Sequence, residues 1–203
     1  MTDDPGTERD FHHSPVMGSE IVRLFADVPA GVIVDATLGG GGHAALLLAA
    51  RPDRRLLGLD RDPAALAAAG VALAPFGDRV ILRHARFDHL DGVMTDLDLP
   101  PVSGVLFDLG VSSPQLDVAE RGFSYRHDGP LDMRLDPTEP WSAHDVVNGY
   151  SVEELTRLLR TNADDRPGDP RGAADRVDGA ARGERCGPRR RRTAARAGTR
   201  SRR

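Results

Sequence analysis

The segment Asp35-Ala-Thr-Leu-Gly39-Gly40-Gly41-Gly42-His43 combines an acidic residue, a run of glycines and a histidine. Set where a strand turns into a helix, such glycines let the backbone approach a ligand closely, and the helix N-terminus offers free N–H groups and a partial positive charge. Loops of this kind serve NAD, FAD, phosphates and S-adenosylmethionine alike, and some are only tight turns. The strict G-x-G-x-x-G spacing is not met, because the third position counted from Gly39 falls on Ala44. A second segment, Gly58-Leu-Asp60-Arg-Asp62-Pro63, puts a carboxylate where it can accept the hydroxyl hydrogens of a ribose. The plainer role of an acid there is to cap a helix, and Asp62, just before Pro63, suits that role better, so the two carboxylates can divide the tasks. The third segment, Leu106-Phe-Asp108-Leu-Gly-Val-Ser112-Ser113-Pro114-Gln115, is an acidic strand end followed by a small, hydroxyl-rich turn. A transferase acting on an amino group would place acceptors in such a turn, and a simple Asx or Ser turn would look the same.

The elements that must hold these residues alternate short β-branched runs with Ala/Leu-rich amphipathic ones from Gly18 to Asp108, the pattern of an α/β unit with a parallel sheet. Ser19 is placed to cap a helix running to about Asp27. The pattern predicts strands at Val32–Asp35, Arg55–Asp60, Arg79–Arg83 and Gly104–Asp108. Helices are expected at His43–Ala50, Pro63–Leu73 and, weakly, Leu90–Leu97. Four strands joined by crossovers make a doubly wound, Rossmann-like sheet, which binds ligands at the C-terminal ends of its strands.

Beyond Asp108 comes a Gly-, Pro- and charge-rich stretch too long for an ordinary connection, and such loops at strand ends are usually functional. Two capped helices follow, one begun by Ser142 and one by the capping box of Ser151 and Glu154. Trp141 and the stripe Leu155, Leu158, Leu159 read as core of a helical domain. His12, His13, His84 and His89 lie in no cluster with metal-ligand spacing, so no metal site is expected. Residues 161–203 hold no Leu, Ile, Phe or Met, and are expected to be disordered.

Charge divides the chain in the same place. Residues 1–160 carry 14 Arg against 25 Asp and Glu, a balance of −11, and residues 161–203 carry 13 Arg against 6, a balance of +7. The one cysteine, Cys186, can form no intrachain disulfide, which fits a reducing compartment. The acidic, polar start of the chain is unlike a signal peptide and no stretch of about 18 apolar residues occurs, so a cytoplasmic protein without a membrane span is expected.

Taken together, DATLGGGGH, GLDRDP and above all LFDLGVSSPQLDVAERGFSYRHDGPLDMRLDP resemble the bacterial 16S ribosomal RNA cytosine-N(4)-methyltransferase family. The opening His13-Ser-Pro15-Val-Met17 is similar to that family's His-x-Pro-Val start, and the likeness runs from about His13 to Arg166. The resemblance implies a class I, S-adenosylmethionine-dependent methyltransferase acting on 16S ribosomal RNA of the small subunit, with a helical domain inserted after the fourth strand. It implies that Gly41, Gly42 and His43 contact the cofactor, that Asp60 meets its ribose and Phe87 the region of its adenine. Asp108 and Gln115 would lie nearer the methyl donor. Ser113 and Pro114 stand in a turn similar to the Ser-Pro-Pro-aromatic motif of amino-methyltransferases, and would accept from the cytosine amino group. Gln115 and Leu116 replace the second Pro and the aromatic residue of that motif, so a stacking platform for the base must come from elsewhere.

On this reading, residues 1–12 are a disordered start, 13–115 a partial methyltransferase domain, and 116–166 the loop and the beginning of the inserted domain. Residues 167–203, an Arg/Gly/Ala/Pro mixture, have the composition of G+C-rich DNA read out of frame, which would leave an unfinished, inactive fragment. Two other readings stand beside it: another Rossmann-fold enzyme such as a nicotinamide dehydrogenase, and a non-catalytic protein that binds RNA phosphates through its Arg tail.

Overall fold

Short apolar strands buried on both faces pair in parallel, and in the computed structural model, which describes residues 15–162, they form a four-stranded parallel sheet. The strands are β1 (Gly31–Asp35), β2 (Arg54–Asp60), β3 (Val80–His84) and β4 (Gly104–Leu106), in the spatial order β3-β2-β1-β4. In register, Asp35 stands beside Gly58 on one side and Leu106 on the other, and Asp60 beside His84. All these C-terminal residues therefore end on one edge of the sheet.

The crossovers are α2 (Gly42–Ala50), α3 (Pro63–Leu73) and α4 (Leu90–Asp96), with α1 (Gly18–Leu24) ahead of β1. Strand residues alternate between two apolar layers. Leu56 packs with Leu38, Leu48 and Leu73 against α2 and α3, whereas Val32, Val34, Leu57 and Leu59 meet Val93, Met94 and Leu97 of α4. Ile33, Leu47 and Leu106 bury the inner face of α1 through Ile21 and Phe25. Removing one such leucine side chain costs roughly 2 to 5 kcal/mol. Arg54, the one buried cation among these strands, donates to the carbonyls of Leu47 and Phe25 and so ties α1 and α2 to the N-terminal end of β2.

Helix α3 keeps both ends expected of it, and its start is fixed by Asp62, which accepts from the Ala64 N–H at 3.0 Å, and by Pro63 in the first turn. The cap expected at Ser19 does not form. Met17 takes that position in a left-handed conformation, and the Ser19 hydroxyl donates to Glu20. Strand β4 stops at Leu106 rather than Asp108.

The chain divides into two units. The described part of the first is residues 15–110 with Leu135–Pro137, and that of the second is Val111–Arg134 with residues 138–162. The second holds α5 (Ser113–Asp117), α6 (Ala143–Gly149) and α7 (Val152–Asn162). The long loop is thus more structured than its composition suggests: α5 and a 3-10 turn at Ala119–Arg121 lie inside it. Ser142 and Ser151 begin their helices as expected, each exchanging hydrogen bonds with the acid three residues on. Trp141 is no core residue among those described. It is 59% exposed and stands edge-on to Tyr150, while of the leucine stripe only Leu155 is buried. The expected disordered segments, 1–12 and 167–203, lie outside the described residues.

Backbone strands of the loop pass so closely that two glycines become obligatory. A Cβ on Gly122, which has φ +71°, would run into the Pro130 carbonyl, and one on Gly129 would run into the Ala119 carbonyl. Gly122→Ala and Gly129→Ala are each expected to destabilise the second unit by roughly 2 to 4 kcal/mol, from overpacking and, at Gly122, left-handed strain. The fluorescence of Trp141, the single tryptophan, followed through a urea titration checks this; an unchanged midpoint would show that the loop is not packed in this way.

Candidate cofactor site

Because β1, β2 and β4 end together, the carboxylates that end β1 and β2 and Asp108, two residues past β4, gather around the glycine turn. Asp35 is 1% exposed, and its Oδ1 accepts the Thr37 N–H at 3.2 Å. The Thr37 hydroxyl in turn accepts the Asp108 N–H at 2.7 Å, which links the ends of β1 and β4. Asp60 closes the other side: Oδ2 accepts from Gly39 N–H and Oδ1 from Asp62 N–H, each at 2.8 Å. Its carboxylate thus holds the turn after β1 against the turn after β2, and each oxygen keeps a second lone pair for a ligand.

Within the turn, Gly39 and Gly41 have φ +52° and +82°, the left-handed region that glycine tolerates best. A side chain at Gly39 or Gly40 would meet no atom within 4 Å, so these positions leave open space, whereas one at Gly41 would press on Leu73 and Ala69. Gly42 and His43 have partners in the N-terminal segment. Pro15 lies where a Gly42 side chain would be, and His43 Nε2 donates to the Val16 carbonyl at 2.8 Å. Nε2 therefore carries a hydrogen, and Nδ1 faces Asp108 Oδ2 at 3.7 Å. Phe87, half-exposed after β3, meets Phe107 edge-on with ring centroids 5.7 Å apart.

The structure brings together Gly41, Gly42, His43, Asp60 and Asp108 in the first unit, with Phe87 in the turn after β3. Ser113, Pro114 and Gln115 belong to the second unit, at the start of α5. There the buried Gln115 accepts the Ser112 N–H through Oε1 at 2.8 Å, a capping box whose Ser-x-x-Gln spacing was visible in the sequence. Two residues of the Asp35–His43 segment, to which the sequence alone assigned no role of their own, belong to the site. Thr37 bridges two strand ends, and Asp35 lies buried beneath the turn. Among the described residues no group of His, Cys, Asp and Glu is placed to hold a metal ion, and no helix is long and apolar enough to cross a membrane.

Burial pushes the Asp35 carboxyl up to about 6; the Thr37 N–H and His43 oppose the rise, and the charges of Asp60 and Asp108 add to it. The site is thus built around a surplus of negative charge, which a cation would relieve.

A parallel sheet of this order, with a glycine turn after the first strand and an acid closing the second, is a Rossmann-like, cofactor-binding fold, and the family match makes it that of a class I methyltransferase. The chain belongs to the MraW methylase family, whose pattern matches residues 10–178. It is 51% identical over 157 residues to the ribosomal RNA small subunit methyltransferase H of Symbiobacterium thermophilum, covering 77% of this chain and 49% of that protein. To the protein of the same name from Saccharopolyspora erythraea it is 53% identical over 167 residues, covering 80% and 50%. The chain thus spans about half the length of the curated relatives it matches. A crystal structure of an rRNA methylase, described as putative, from Clostridium thermocellum superposes with a TM-score of 0.41 at 27% identity, over 47% of this chain and 51% of that one.

The raised Asp35 value fixes the sign of a pH effect. The native state takes up the Asp35 proton more readily than the unfolded chain does, so this residue's contribution to stability falls as pH rises from about 4 to about 6. The loss is on the order of 3 kcal/mol. Asp35→Asn, which keeps an acceptor for Thr37, should therefore gain stability over the native sequence between pH 4 and pH 7. Urea titrations at the two pH values test it, and a constant difference would mean that Asp35 ionises as freely as an exposed acid.

Proposed function

We propose that this chain binds S-adenosylmethionine across the C-terminal edge of β1 and β2, and carries the cofactor part of an enzyme that methylates the exocyclic N(4) of a cytosine in 16S ribosomal RNA. The observation that carries this reading is the gathering of Asp35, Asp60 and Asp108 at a glycine turn with open space at Gly39 and Gly40. This set of acceptor carboxylates suits a ligand with sulfonium and ammonium charges. A dinucleotide would bring an anionic diphosphate to the same turn, where these carboxylates repel it, so the nicotinamide dehydrogenase is disfavoured. The family membership and the names of the relatives support methyl transfer to small-subunit ribosomal RNA.

In this reading Asp60 takes the ribose hydroxyls with its remaining lone pairs. Gly41, Gly42 and His43 lie along the cofactor, Phe87 by its adenine, and Asp108 and Gln115 near the methyl group. The bound cofactor supplies an electrophilic methyl. The amino nitrogen of cytosine is a poor nucleophile because its lone pair is delocalised into the ring, so the chain must orient it and accept its hydrogens as it pyramidalises. Ser113 and the backbone carbonyls around Pro114 are the acceptors we assign to that task. Residues 1–160, at −11, cannot rely on diffuse attraction to phosphate, and recognition through RNA shape or an extruded base follows. The Arg-rich tail, which the RNA-arm reading needs, lies outside the described residues.

Calorimetry on the 203-residue chain should detect S-adenosylmethionine and no NAD. Asp60→Ala should weaken binding by about 1.5 to 3 kcal/mol, the value of charge-assisted hydrogen bonds. Unchanged affinity would remove Asp60 from the ribose. Labelled methyl supplied with assembled small subunits should appear in their RNA; label in DNA or protein, and none in small-subunit RNA, would refute the substrate.

A further inference from the structure

His84, the last residue of β3, stands in register with Asp60 and takes no part in the site described above. Its Nε2 lies 3.0 Å from the Arg61 carbonyl oxygen and 3.0 Å from Asp136 Oδ2. Both neighbours are acceptors, so Nε2 carries the hydrogen and serves both. The Asp136 carboxylate is largely buried, at 14% exposed. Leu135–Pro137 belongs to the first unit, although the chain on either side of it belongs to the second. The excursion Val111–Arg134, which carries Ser113, Pro114 and Gln115, therefore leaves the first unit after Gly110 and comes back to it at Leu135.

We propose that His84 is a positioning residue whose Nε2–H holds Asp136 and so clamps the returning end of this excursion beside the Asp60 turn. Closing a flexible loop costs entropy once, and a fixed second end removes most of the freedom that a chain anchored only at Gly110 would have. Arg61 follows Asp60 directly, so the same ring hydrogen touches the turn that Asp60 closes and the segment that returns. The clamp would narrow the range of positions open to the amino-group acceptors. In that consequence it rests on the methyltransferase reading, but the clamp itself does not.

The test is hydrogen exchange on the full 203-residue chain without cofactor. His84→Leu and Asp136→Leu should each speed exchange of amides in Val111–Arg134 roughly tenfold. The double variant should exchange no faster than the more affected of the two single ones. Amides of Val34 and Leu57 in the sheet should stay as protected as before. His84→Gln, whose side-chain amide offers an N–H at nearly the position of Nε2, should restore protection to within about twofold. The proposal is overturned if the excursion exchanges at its native rate in His84→Leu, if the two effects multiply in the double variant, if His84→Gln behaves like His84→Leu, or if the sheet amides accelerate equally. S-adenosylmethionine binding to the native chain, measured alongside, separates the two readings: a chain that binds none but shows this exchange pattern loses the proposed function and keeps the clamp.

Discussion

The Asp60 carboxylate is the constraint on which the geometry of the site depends. A parallel sheet brings its strand ends to one edge, but it does not decide how the loops above that edge lie. Asp60 decides it by accepting one N–H from the turn after β1 and one from the turn after β2. Charge-assisted bonds to backbone N–H groups are about twice as strong as neutral ones. With Gly39 held, the left-handed glycines can carry the chain into α2 without a side chain intruding on the space above the sheet. The Thr37 hydroxyl does the corresponding work between β1 and β4. The edge is thus cross-braced by side chains on both sides of Asp35.

This bracing explains why Asp35 is buried at all. An isolated carboxylate removed from water is costly, and here only the Thr37 N–H and the His43 ring offset the cost. Natural folds keep such destabilised groups where the cost serves something else, and perturbed carboxyls gather at functional sites for that reason. A cation seated above the turn would interact with Asp35, Asp60 and Asp108 together. The energy withheld from folding would then appear as affinity.

Much of this frame is legible in the residues. Asp62-Pro63 announces the start of α3, and short apolar runs mark all four strands, β-branched in β1 and β3 and leucine-rich in β2, because these signals act over a few neighbouring residues. The misreadings come from packing that composition does not encode. Gly, Pro and charge between Gly110 and Pro137 suggest an open loop, yet the Ser112–Gln115 capping box and the close backbone passes of Gly122 on Pro130 and Gly129 on Ala119 order it. Ser19 has the right side chain for a cap, but Met17 holds the position. Trp141 reads as core by its size alone, and its exposure depends on what packs around it. The depth of Asp35 was hidden in the same way, since the residues that surround it come from the ends of other strands.

At Gly42 and His43 a folding role and the proposed binding role fall on the same residues. The proposed function has them contact the cofactor, whereas the structure gives each a partner in the N-terminal segment: Pro15 against Gly42, and the Val16 carbonyl on His43. The two roles are compatible because they use different parts of the residues. Gly42 offers its Cα face to Pro15 and keeps its backbone for the turn. His43 commits Nε2 to Val16, and that bond sets the ring so that Nδ1 faces Asp108. A His43 variant would therefore lose the strap before it lost any ligand contact, and a weakened site in that variant would not by itself show that the imidazole touches the cofactor. Asn at this position cannot reach as far as Nε2, while Gln can carry a donor there without restoring the face that Nδ1 presents to Asp108. Comparing His43→Asn with His43→Gln would separate the strut from the contact, because only the second keeps Pro15–Val16 fastened over the glycine turn.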